Sequence, residues 1–139
     1  MSTTKKKDGF SAEEKAAMRA RVKELKAAED GETAIRSAFS EMTPAERKIG
    51  ERIHELVKAN APDLIPRTWY GMPAYATKEG KVVCFYRHAG KFKERYNMFG
   101  FNDSAKVDKG AMWPIAYAIT ELTAADEAAL GKLIKKAVS

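Results

Sequence analysis

Thr68-Trp69-Tyr70-Gly71-Met72-Pro73-Ala74-Tyr75-Ala76 is the stretch where helical spacing gives way to an extended, aromatic-rich pattern. Read as one strand, its alternation puts Trp69 and Tyr75 on one face and Tyr70 and Met72 on the other. Gly71 permits a bulge or a close backbone approach, and Met72-Pro73 marks an edge or a bend. One face must pack under helices. The other, with Lys81, Arg95 or Trp113 nearby, is a candidate shallow pocket for a planar or anionic ligand. Plain packing is the competing account of the same rings.

Downstream, Lys78-Glu79-Gly80 reads as a short turn, and residues 81–87 as the β-branched and aromatic second half of a hairpin. Residues 95–101 form a third strand, with Tyr96, Met98 and Gly100 alternating against Asn97, Phe99 and Phe101. Residues 102–110 are polar and loop-like, and residues 114–120 suit a fourth strand with Pro114 at its start. Thr123 with Asp126 then caps a closing helix whose buried stripe is Leu130, Leu133, Ile134 and Ala137.

Upstream, Thr43-Pro44-Ala45-Glu46 is a strong helix start: an N-cap, a proline in the first turn and a capping-box glutamate. Ile49, Ile53, Leu56 and Val57 line one face of that helix until Asn60, and Pro62 ends it. Ser11-Ala12-Glu13-Glu14 is a second capping box, opening a helix that Asp30-Gly31 is expected to stop. A separate short helix is expected from Ala34, Ile35, Ala38, Phe39 and Met42. In the first helix Met18, Val22 and Leu25 make a thin apolar stripe beside Lys15, Arg19, Lys23 and Lys26. The expected organisation is a tail and helical extension over residues 1–42, then an α+β domain over 43–139. In that domain helices cover an antiparallel sheet of three to four strands.

Composition excludes more than it names. The 139 residues are 45% hydrophobic and 32% charged, enough for one core and too apolar for wholesale disorder. No apolar run approaches a membrane span, no signal peptide follows Lys5-Lys6-Lys7, and one cysteine fits a reducing cytosol. A cytoplasmic protein with no membrane partner is the expectation. The net charge is +6, and residues 44–139 carry 16 basic against 11 acidic side chains, which permits weak attraction to polyanions. Clustered lysines are needed for phosphate contact, and Lys15, Arg19, Lys23 and Lys26 are the candidate nucleic-acid residues.

No catalytic constellation stands out. Cys84 with His88 is the one conceivable nucleophile pair, and Val82-Val83-Cys84-Phe85-Tyr86 reads better as a buried strand. Glu51, His54 and Glu55 share one arc of the core helix and could ligate a divalent ion, ferrous iron or zinc by ligand type. A solvated polar face is the simpler account of them, because no zinc-type Cys/His spacing occurs in the sequence. No P-loop or dinucleotide glycine pattern is present.

The Trp69-Tyr70-Gly71-Met72-Pro73-Ala74-Tyr75 segment, Gly80-Lys81-Val82-Val83-Cys84-Phe85-Tyr86 and the closing strand and helix together resemble the YdhG-like domain family over residues 43–139. The resemblance implies a compact α+β sandwich with the N-terminal helix as an accessory. It also implies an intracellular iron chaperone of frataxin-like role, carrying ferrous iron to iron-using assembly proteins. Iron binding of that kind uses an acidic surface, whereas residues 43–139 are net basic. Three functions are therefore expected to compete: iron carriage, nucleic-acid binding along the basic helix, and small-molecule binding at the aromatic strand.

Overall fold

The computed structural model describes residues 9–139. Lys5-Lys6-Lys7 lies outside the described residues. The chain runs α1 (Ala12–Ser40), α2 (Pro44–Asn60), β1 (Ile65–Trp69), β2 (Met72–Ala76), β3 (Val82–Arg87), α3 (Ala89–Phe92), β4 (Asn97–Phe101), β5 (Ala116–Ile119) and α4 (Ala124–Ala137). The strands form one antiparallel meander in the order β1-β2-β3-β4-β5. The α+β class is as expected, with five strands in place of three to four.

The extra strand comes from the aromatic stretch, which is two strands joined by a two-residue turn. Trp69 pairs with Met72, and the turn residues Tyr70 and Gly71 have φ of 51° and 77°. Positive φ at both central positions is the type I′ arrangement, whose twist matches that of the flanking strands. The chain reversal overturns the expected facing. Trp69 now shares a face with Met72 and Ala74, while Tyr75 points the other way.

A second correction concerns α1. Asp30-Gly31 does not stop the helix, which runs unbroken for 29 residues and absorbs the expected second helix. Gly31 is buried against β1, where a Cβ would collide with the carbonyl oxygen of Pro66. The glycine serves close approach, not termination. The three capping boxes at Ser11/Glu14, Thr43/Glu46 and Thr123/Asp126 all form, because each needs only four consecutive residues.

One face of the sheet is covered. Tyr75, Cys84, Tyr86, Phe99, Phe101 and Ile119 pack against Ile35 and Phe39 of α1, Ile49, Ile53 and Val57 of α2, and Leu130, Ile134 and Ala137 of α4. Gly50 lets the rings of Phe39 and Tyr86 press on α2, and Arg52 holds α4 through a two-bonded pair with Glu127 at 3.1 and 2.7 Å. Only the last third of α1 takes part: its buried residues are Gly31, Ile35 and Phe39.

Candidate functional site

Under the sheet lies a polar tie between three elements. His54 of α2 is fully buried; its Nε2 meets both carboxylate oxygens of Glu32 (2.9 and 2.8 Å) and its Nδ1 lies 3.0 Å from the Tyr75 hydroxyl. Burial pushes the Tyr75 hydroxyl well above the ordinary tyrosine range, with the neighbouring Cys84 and Glu32 adding to the shift and Arg36 opposing it. Both imidazole nitrogens are thus engaged. The structure does not bring the expected metal residues together: Glu51 and Glu55 are exposed while His54 points inward. Among the described residues no group of three His, Cys, Asp or Glu side chains is placed to hold a metal ion.

Cys84 and His88 do not meet as a pair either. Four positions on a strand separate them by about 13 Å. Cys84 is completely buried, which pushes its thiol far above the reactive range. His88 sits between the rings of Tyr86 and Phe92, and its buried Nδ1 has no hydrogen-bond partner among the described residues. Burial lowers the His88 pKa; Glu46 and Glu41 oppose the shift and Lys91 reinforces it. The unfolded chain therefore takes up this proton first as pH falls. His88 contributes fully above the ordinary histidine range and loses its contribution as pH drops below about 6.5. Denaturation midpoints measured across that range should fall on the acid side. In His88→Phe, which keeps the ring and removes the unpartnered nitrogen, that acid slope should flatten.

Among the described residues no helix lies over the other face of the sheet. Register places Arg67, Trp69, Met72, Ala74, Phe85, Arg87, Met98, Gly100 and Ala118 there. The Trp69 ring lies 5.4 Å from Phe85 and 4.9 Å from Tyr70, and Met72 and Ala74, on the same face, are buried. Gly100 leaves room for Phe85, whose Cζ would lie 2.5 Å from any Cβ there. Tyr70, at the tip of the turn, is 76% exposed. Cations border this cluster. Lys91 lies against the turn, its Nζ 2.8 Å from where a Gly71 Cβ would be. Arg87 covers Phe92 at 3.9 Å and pairs with Glu94 through both terminal oxygens. Glu46 sets α3 in place, accepting from the Gly90 N–H at 2.8 Å while its other oxygen caps α2.

Of the expected ligand residues, the structure thus gathers Trp69, Tyr70 and Met72. Arg95 lies at the same end of the sheet, exposed and stacked at 5.1 Å over Tyr96. Tyr75 is beneath the sheet. Lys81 and Trp113 are at the opposite end, Lys81 after the β2–β3 turn and Trp113 half-buried against the core. Phe85, Arg87 and Lys91 were missed. The alternation of β3 against Cys84 and Tyr86 is the signal that would have found Phe85. Lys15, Arg19, Lys23 and Lys26 do share one side of the half of α1 that makes no core contact.

A cavity of about 750 Å³ lies at the far end of the sheet, away from Tyr70. Arg21, Glu24 and Leu25 of α1 roof it, and Asp63, Lys78 and Lys106 stand on its rim. Its charges balance, and it selects no ligand sign.

Fold and surface together define a class: an open-faced α+β sandwich with an aromatic, cation-bordered hairpin tip on its uncovered side. Comparison with family models, with curated proteins and with solved structures found no match.

Proposed function

We propose that this chain is a binding protein, not a catalyst, with the YdhG-like architecture its sequence resembles, and that it holds a planar anionic small molecule at the Tyr70 hairpin tip. Tyr70 carries the reading. A type I′ turn favours asparagine or glycine at this position, and a bulky residue at positive φ is strained. Here a tyrosine occupies it, solvent-facing, with its ring edge on Trp69. Strain retained at an exposed aromatic points to a use beyond folding. Trp69 and Phe85 offer ring faces, and Lys91 offers an unforked cation for a carboxylate or phosphate. The ferrous-iron reading draws no support from the geometry, since His54 is committed to Glu32 and Tyr75.

The test is a tryptophan-emission titration with nucleoside monophosphates and aromatic carboxylates in a Trp113→Phe background, so that only Trp69 reports. Saturable quenching is expected. Tyr70→Asn should weaken binding about tenfold, yet raise stability by about 0.5–1 kcal/mol by relieving the turn. No emission change with any planar anion, or full affinity in Tyr70→Asn, would overturn the proposal.

A further inference from the structure

The N-terminal half of α1 presents an apolar stripe that the hairpin tip does not use, and of its three residues only Leu25 also borders the end cavity. Met18, Val22 and Leu25 are 45%, 64% and 50% exposed, and Phe10, just before the helix, is exposed too. At about 100° per residue these three side chains form one stripe, roughly a third of a turn away from the Gly31–Ile35–Phe39 face that meets the body. The stripe therefore looks sideways and is not an unfilled part of the core. Yet this half is built to be helical. Its start carries a complete capping box, with Ser11 Oγ accepting from the Glu14 N–H at 3.0 Å and Glu14 accepting from the Ser11 N–H at 2.8 Å.

Charge says what such a stripe meets. Arg19 and Lys26 lie within about a quarter turn on one side of it and Arg21 on the other. All three are exposed, and Lys15 and Arg19 join Met18 and Val22 around a shallow depression. Lys5-Lys6-Lys7 precedes the helix in sequence. Residues 10–26 carry five basic side chains, Lys15, Arg19, Arg21, Lys23 and Lys26, against three acidic ones, Glu13, Glu14 and Glu24, and Lys26 also pairs with Asp30 at 3.8 Å.

We propose that residues 10–26 form a docking surface for an anionic lipid bilayer, with the stripe resting at the acyl boundary and the flanking cations at the headgroups. Long cationic side chains on both flanks of a narrow apolar stripe can bury their stems and keep their charges at the headgroups. A nucleic acid would use the cations and leave Met18, Val22 and Leu25 idle, because none of the three offers a ring on which a base could stack, Phe10 being the one aromatic of this surface. Among the described residues no helix is long and apolar enough to cross a membrane, so the contact is peripheral.

Co-sedimentation of the full chain with phosphatidylcholine vesicles, with and without about a third phosphatidylserine, tests this. Partition onto the anionic vesicles should be about tenfold higher and should fall as salt rises. Val22→Asp and Arg19→Gln should each reduce it about fivefold. Both positions are exposed, so the circular-dichroism melt should stay at the wild-type midpoint. Equal partition onto both vesicles, or none, would overturn the proposal. So would retention of a single-stranded oligonucleotide that survives Val22→Asp while vesicles are ignored. None of these readouts involves Trp69 or Tyr70, so failure at the hairpin tip and failure here are separable.

Discussion

Gly31→Ala is expected to lower stability by about 2–3 kcal/mol, although alanine is the better helix former by about 1 kcal/mol. The new methyl would collide with the Pro66 carbonyl, which is fixed backbone in β1 and cannot swing aside as a side-chain end would. Either the helix lifts away from β1 or the strand buckles. Lifting also pulls Ile35 and Phe39 from the core and Glu32 from His54. Chemical denaturation reads the total, and hydrogen exchange over residues 31–40 reads whether α1 has detached. A gain of about 1 kcal/mol would mean that propensity alone governs this position and that the close approach is not there.

His54→Leu should cost about 3 kcal/mol. The substitution keeps the site apolar and filled but strands the Tyr75 hydroxyl, which is 1% exposed, and releases the Glu32 carboxylate. A buried hydroxyl without a partner is penalised more than a missing pair. Adding Tyr75→Phe to His54→Leu should therefore restore about 1 kcal/mol, although a second side chain has been truncated. A double variant less stable than His54→Leu would show that the hydroxyl has another partner. The same pair of variants bears on function, because ligand binding at the Tyr70 tip on the opposite face should be unchanged in both.

Both predictions turn on residues whose local sequence reads differently from their place in the fold. Asp30-Gly31 is a helix stop by local rules, and Tyr70-Gly71 lacks the asparagine that announces a type I′ turn. In each case the deciding contact comes from a residue distant in sequence or from the pairing of two strands: Pro66 against Gly31, and Trp69 opposite Met72. His54 looks like one of a surface trio by helical phase alone. What draws it inward is Glu32, 22 positions earlier, and Tyr75, 21 later, neither visible to a periodicity argument. The candidate site was legible only where strand and turn happened to coincide, at Trp69, Tyr70 and Met72. Phe85, Arg87 and Lys91 join them through cross-strand register and a four-residue helix too short to leave a pattern.

Sequence by itself determined the class of the fold, the three capped helix starts, the inward stripes of α2 and α4 and the strand character of β3, β4 and β5. Those features rest on side chains three or four positions apart in a helix and two apart in a strand, where the period of burial is set by neighbouring residues. Tertiary structure alone decided that the sheet has five strands, that α1 is continuous, and that among the described residues one sheet face is left without a helix. Each of these depends on which surfaces meet after the chain has reversed, and a reversal of two residues exchanges the faces of everything that follows.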